Sequence, residues 1–265
     1  MALVNIEIDE SLFIELGNLY NQKLLGEQFE SFKSGLVSNS FFMDSNSRKN
    51  ALADLCDKYG SDKGSLSPDS LNHPYAWKAH TYTDFYSLMF GHCRDSVKRV
   101  FECGIGTNNT SIESNMSANG KPGASLRVWK DYFPNAEIVA GDIDRDVLFT
   151  EDRIKCYWID QLDPVSISNF WAQAGEEQFD LMVDDGLHKY EAGLTLFKNS
   201  IHKLKPGGTY IIEDVTVSDL LKYKTYFSQL PCAVTYLTAQ RSGEPVTTVQ
   251  DWTYLEDNNL IIIKV

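Results

Sequence analysis

From Arg99 onward the chain alternates short apolar runs with helical patterns, and this alternation constrains the fold more than any other feature. Arg99–Gly104, Ala136–Asp142, Ile154–Ile159, Phe179–Asp184 and Thr209–Glu213 read as strands buried on both faces. Helical spacing falls between them at Ser125–Phe133, Pro164–Ala174 and His188–Leu204, and after them at Ser218–Leu230. Strands separated by helices pair in parallel through crossover connections. Ala233–Thr238 and Leu260–Val265 then close the chain as an antiparallel hairpin, and Lys205–Gly208 reads as a sharp turn before the fifth strand. The fold expected is α/β: a doubly wound, mostly parallel, seven-stranded Rossmann-like sheet.

In such sheets ligands sit outside the carboxyl ends of the strands. The first strand ends Glu102-Cys-Gly104-Ile-Gly106, a glycine turn that lets backbone approach a ligand. The third glycine of a dinucleotide fingerprint is replaced by Asn108, which argues against an NAD-dependent oxidoreductase. The second strand ends at Asp142, where a carboxylate can accept from both ribose hydroxyls of a nucleoside. Asp160-Gln161 follows the third and can read an adenine edge; a cap before Pro164 explains the pair equally well.

The fourth strand ends Asp184-Asp185-Gly-Leu-His188 and the fifth Glu213-Asp214. If these strands are neighbours, Asp185, Glu213 and Asp214 converge, and their mutual repulsion favours a hard divalent cation such as Mg²⁺. The competing reading is that one or two of the acids cap helices. His188, expected in the first turn of the following helix, has the basicity to take a proton from a hydroxyl. The other histidines, 73, 80, 92 and 202, show no comparable company. Tyr59-Gly-Ser61-Asp-Lys63-Gly64 can fold over a cofactor, although the bare residues read as an ordinary helix stop and turn.

The formal net charge of -13 disfavours a grip on nucleic-acid phosphates or on an anionic membrane face. No apolar run reaches the roughly 20 residues of a membrane span. Met1–Glu7 lacks the pattern of a signal peptide, and the five cysteines form no CxxC pair. Reduced thiols in a cytoplasmic protein are expected, with Cys103 and Cys156 in buried strands. Residues 1–48 form a separate segment: Leu12, Phe13, Leu16, Leu19, Tyr20, Leu24 and Leu25 mark one or two amphipathic helices within Ser11–Phe32, followed by a polar linker over Ser38–Ser47. That apolar stripe predicts subunit packing into a dimer or larger homo-oligomer, or a lid. Residues 49–265 form the main domain, opening with a helix over Lys49–Tyr59.

Taken in order, Tyr59-Gly-Ser-Asp-Lys63, Glu102–Gly106, Gly123-Ala-Ser-Leu-Arg-Val-Trp129, Gly141-Asp142-Ile143, Asp160-Gln161, Asp185-Gly-Leu-His188 and Glu213-Asp214 resemble the macrocin and mycinamicin sugar O-methyltransferases. The calicheamicin-type rhamnosyl enzymes are similar, and the resemblance spans roughly residues 50 to 215. It implies a class I methyltransferase using S-adenosylmethionine and Mg²⁺ on a sugar hydroxyl. It also implies Tyr59, Ser61, Lys63, Glu102, Gly104, Asp142, Asp160, Gln161 and Asp184 at the cofactor, and Asp185, Glu213 and Asp214 on the metal. His188, with Asp185, would be catalytic. The polar stretch Asn108–Pro122 and the short amino-terminal segment depart from the family and border the acceptor site, leaving the sugar open. Methylation of a non-sugar hydroxyl, such as a catechol, or of a carboxylate, and a non-catalytic module are the remaining readings; the intact acids and His188 count against the latter.

Overall fold

The computed structural model describes residues 40–43, 50–64, 75, 77, 79–239 and 257–264. The expected helix around residues 12–25, with its inferred role in assembly, lies outside the described residues.

The strands are β1 (Ser40–Met43), β2 (Arg99–Cys103), β3 (Glu137–Asp142), β4 (Thr150–Glu151), β5 (Ile154–Trp158), β6 (Phe179–Asp184), β7 (Leu204–Val215), β8 (Ala233–Ala239) and β9 (Asn259–Lys264). They form one sheet in the order β1-β8-β9-β7-β6-β2-β3-β5-β4. Strands β2, β3, β5, β6 and β7 run parallel, while β9 is antiparallel to both β7 and β8. The doubly wound class is as expected. Among the described residues the strand number is nine rather than seven, because the two-residue β4 extends one edge and β1 the other. Strand β1 lies within the stretch read as a polar linker and pairs in parallel with Tyr236–Ala239.

The helices are α1 (Ala51–Tyr59), α2 (Tyr82–Phe90), α3 (Ala124–Tyr132), α4 (Pro164–Ala174), α5 (Tyr190–Ser200) and α6 (Val217–Phe227). Each strand splits its side chains between two cores by its two-residue period. Val100, Ile138, Leu181 and Ile211 pack with Leu52, Tyr86, Leu126 and Trp129 from α1, α2 and α3. Phe101, Val139, Met182 and Ile212 pack with Phe170, Phe197, Leu220 and Tyr223 from α4, α5 and α6. Helix α2 carries Tyr82, Phe85, Tyr86 and Phe90, an apolar run with little polar stripe, and sequence periodicity gave no sign of it.

Local chemistry sets the ends. Asn50 accepts from Ala53 N–H to start α1, and Gly60 ends it with φ 80°. Asp163 caps α4 with Pro164 in its first turn. The expected turn at Lys205–Gly208 is instead part of β7, where the register jumps from Phe179↔Leu204 to Leu181↔Thr209. All five cysteines are free; Cys103 is buried, whereas Cys156 is half-buried rather than buried. Among the described residues no helix is long and apolar enough to cross a membrane.

The chain runs from β2 outward to β5 and then returns to β6 on the other side of β2, so the topological switch lies between β2 and β6. Asp180 braces the opposite end: it accepts from Lys98 N–H at 2.7 Å, Arg99 N–H at 2.9 Å and Lys205 Nζ at 2.8 Å. Burial works to raise its carboxyl, but Lys205 and the two N–H groups outweigh this and hold it below its ordinary value. Its stabilisation is therefore present above the unfolded carboxylate range and lost as pH falls through the lower folded value. Asp180→Ala is expected to lower stability by about 1–3 kcal/mol at neutral pH in urea denaturation. An unchanged midpoint would show that the brace contributes nothing.

Candidate functional site

At the end of β2 the chain must pass close to the end of β6. Gly104 has φ 95°, and a Cβ there would stand 2.0 Å from the Asp185 carbonyl oxygen, so only glycine permits the crossing. The turn is fixed by Asp142 on β3. Its Oδ2 accepts from Ile105 N–H at 2.7 Å and Gly106 N–H at 3.2 Å, and its Oδ1 from Asp144 N–H at 2.9 Å. Burial nevertheless raises the Asp142 carboxyl above its ordinary value. Asp142 thus organises the glycine turn, and its remaining lone pairs are what it can offer a ligand. Asp144, which the motifs did not single out, accepts from the Thr107 hydroxyl.

The ends of β6 and β7 carry the acids. His188 lies in the loop before α5, two residues ahead of the helix rather than in its first turn, with φ 58°. Asp214 also has positive φ, 52°. Non-glycine residues held in this region are strained and cluster at functional sites. The imidazole bridges the two strand ends, with Nε2 3.6 Å from Asp185 Oδ1 and Nδ1 3.3 Å from Asp214 Oδ2. Ligand atoms of Asp185, His188 and Asp214 lie within 4.8 Å of one another.

Glu213 stands apart from that opening. Its side chain is buried, with Oε1 accepting from Tyr86 at 2.5 Å and Oε2 from Lys63. Lys63, 4% exposed, also donates to Asp185 Oδ2 and lies 3.3 Å from Glu102 Oε1. It was expected at the cofactor; the structure places its ammonium within the acidic cluster. Asp214 Oδ1 accepts from Tyr82 at 2.6 Å, and His80 Nδ1 lies 3.3 Å from it. His80, read as lacking company, is therefore part of the site, held at 2.7 Å by Asn258. Tyr82 and Tyr86 were also missed. Their signal was a pair of tyrosines four residues apart, hence on one helix face, with polar tips that need partners when buried.

Charge follows this geometry. Burial alone would raise the Asp214 carboxyl, but His80, His188, Tyr82 and Lys63 hold it at about 2. Burial would lower the His188 imidazole; Asp214, Asp185 and Asp184 outweigh it and raise its pKa. Glu213 is pushed well up by burial, Asp185 and Asp214, against the pull of Lys63. Burial also raises Glu102 and Asp184, each to about 7.

The other expected residues have internal roles here. Tyr59 donates to Asp131 at 2.6 Å rather than joining the strand-end cluster. Ser61 is buried and accepts from Lys63 N–H at 3.4 Å. Glu102 Oε2 accepts from Ser125 and from Trp129 Nε1, both at 2.9 Å. Asp160 caps its own turn through Leu162 N–H, while Gln161 donates to Asp184 and accepts from Leu187 N–H. The 108–122 stretch reaches the chain around His188: Ser114 donates to the Leu187 carbonyl at 2.9 Å, and Glu113 pairs with Lys189 at 2.6 Å.

Tyr86→Phe would leave the buried Glu213 Oε1 without its donor. It is expected to lower stability by about 1–3 kcal/mol. Chemical denaturation with no measurable change would show that Tyr86 does not hold Glu213.

No family model matches the chain. It is 32% identical over 167 residues to the 8-demethyl-8-alpha-L-rhamnosyl tetracenomycin-C 2'-O-methyltransferase of Streptomyces olivaceus, covering 63% of this chain and 38% of that protein. It is 34% identical over 136 residues to the demethylmacrocin O-methyltransferase of Streptomyces fradiae, covering 51% of this chain and 32% of the relative. A solved structure of the MycE methyltransferase from the mycinamycin biosynthetic pathway, in complex with Mg and SAH, is 30% identical, with a TM-score of 0.47 over 63% of this chain and 40% of that one. The chain spans between 32% and 48% of the length of the curated relatives it matches. By sequence it is similar to sugar O-methyltransferases of the macrocin, mycinamicin and tetracenomycin kind, over part of each relative's length.

Proposed function

We propose that this chain transfers a methyl group from S-adenosylmethionine to a hydroxyl of a sugar or glycoside, assisted by Mg²⁺. The observation that carries the reading is His188, suspended between Asp185 and Asp214 beside the switch point of the sheet. Similarity to sugar O-methyltransferases supports the same chemistry and directs it to a glycosylated acceptor.

The donor set fits a hard cation: carboxylate oxygens dominate, and no cysteine is among the grouped ligands. Asp185, Asp214 and Glu213 would hold Mg²⁺, Glu213 once released from Lys63. When bound, such an ion orients sugar hydroxyls and acidifies the reacting one. The glycine turn at 104–106 and the Asp142 carboxylate suit the nucleoside end of the donor. The sulfonium supplies an electrophilic methyl carbon. His188 takes the hydroxyl proton as the acceptor oxygen bonds to that carbon and the carbon–sulfur bond breaks. Alignment of oxygen, methyl and sulfur by the strand-end loops supplies much of the acceleration. The segment Glu113–Ser114 is tied to both neighbours of His188 and so would stand beside the acceptor.

His188→Ala is expected to retain donor and metal binding but to lose roughly 10²–10⁴-fold in turnover, the usual contribution of a positioned base. The assay is mass-spectrometric methyl transfer to a panel of nucleotide sugars and glycosides. EDTA should abolish it and added Mg²⁺ restore it; full transfer in excess EDTA would remove the metal from the reaction. Asp142→Ala should weaken S-adenosylhomocysteine binding in calorimetry. Unaltered affinity would exclude Asp142 from the donor site.

A further inference from the structure

Lys63 occupies oxygens that a divalent cation needs. Its ammonium binds Asp185 Oδ2 and Glu213 Oε2, leaving Asp185 Oδ1, Asp214 Oδ2 and the His188 ring as the open group. A small hard cation prefers about six oxygen ligands in near-octahedral geometry. It therefore competes with Lys63 for the same carboxylates, and two cations a few ångströms apart repel strongly in a buried setting.

The structure also offers a place for the displaced ammonium. Glu102 is fully buried; its Oε2 is taken by Ser125 and Trp129, whereas Oε1 has Lys63 as its one close cation among the described residues. That oxygen is ion-paired with Lys63 Nζ at 3.3 Å, the longest of the ammonium's three carboxylate contacts. A buried carboxylate oxygen held only by a long ion pair can take a closer donor at little cost. The lysine stem is flexible and its charge compact, so a small swing completes the bond.

We infer that Lys63 is a two-position counter-cation: it sits tightly on Asp185 and Glu213 and loosely on Glu102 when the metal is absent, and closes onto Glu102 Oε1, leaving the other two, when a divalent cation enters. This rests on the metal reading above and adds to it. The move releases Glu213 to the metal, and it joins the metal-binding acids to the end of β2, where the glycine turn begins. Metal and donor sites then share one movable charge.

The test is calorimetric titration of the full chain with Mg²⁺, without methyl donor. Lys63→Met removes the competitor and is expected to tighten Mg²⁺ binding. Glu102→Gln weakens the landing place and is expected to loosen it, each by between about 5- and 150-fold, the usual span of coupled sites. In the double variant the Glu102→Gln effect should vanish, because no ammonium needs Glu102. If Glu102→Gln weakens binding equally with and without Lys63, Glu102 acts only as a fixed charge and the inference is overturned, while the metal reading stands. If the unaltered chain binds no Mg²⁺ and Asp214→Asn changes nothing, both fall. Should Lys63→Met fail to fold, a crystal structure of the unaltered chain with Mg²⁺ decides. Nζ against Glu102 supports the move; Nζ still on Asp185 and Glu213 refutes it.

Discussion

One buried ammonium, that of Lys63, balances carboxylates delivered by the ends of three strands: Glu102 from β2, Asp185 just after β6, and Glu213 from β7. Unpaired, these acids would repel one another in surroundings that solvate charge poorly. Breaking such a buried pair by removing one partner costs about 3–5 kcal/mol. The loop after α1 therefore belongs to the acid-bearing end of the sheet, although it precedes β2 by many residues. Its backbone is fixed there as well: His80 N–H donates to the Asp62 carbonyl, Thr81 N–H to that of Gly64 and Thr83 N–H to that of Lys63. Those bonds bring His80 and α2 to the acids, so one anchoring loop sets the positions of Tyr82, Tyr86 and His80 together.

A second constraint is steric. Gly104 brings the end of β2 against the Asp185 carbonyl, and Asp142 ties the following turn to β3. The three strands around the switch point are thus locked at the ends where a ligand would sit. Gln161 extends the lock to the β5 side through Asp184 and Leu187 N–H. His188, held at positive φ between two acids, stands at the meeting point of these ties. The site is built from strand ends and short loops rather than from a mobile surface, as positioning chemistry requires.

Much of this architecture was legible in local pattern. Strands β2, β3, β6 and β9 announced themselves as apolar runs, because strands covered on both faces have no polar side to show. Asp142, Asp185, Glu213 and Asp214 were legible because each directly follows or ends such a run, and His188 because it stands three residues after Asp185. The bulge at Lys205–Gly208 was not, since glycine and proline mark a turn and a bulge alike. Helix α2 escaped because its face toward the acids is aromatic with hydroxyl tips, which periodicity reads as merely apolar. The partner of Tyr59 was not legible either: its hydroxyl ends on Asp131 of α3, 72 residues away in sequence.

The sequence by itself determined the α/β alternation, the glycine turn and the acids at the strand ends, since all of these are local and periodic. Only the tertiary structure decided which acid meets which cation. Lys63 lies 122 residues from Asp185 and 150 from Glu213, so no spacing rule connects them. His80 and Asn258, 178 residues apart, meet in the same way. The physical reason is that strand order, not chain order, sets which carboxylates share a buried volume. Within that volume, desolvation and Coulomb attraction choose the partners.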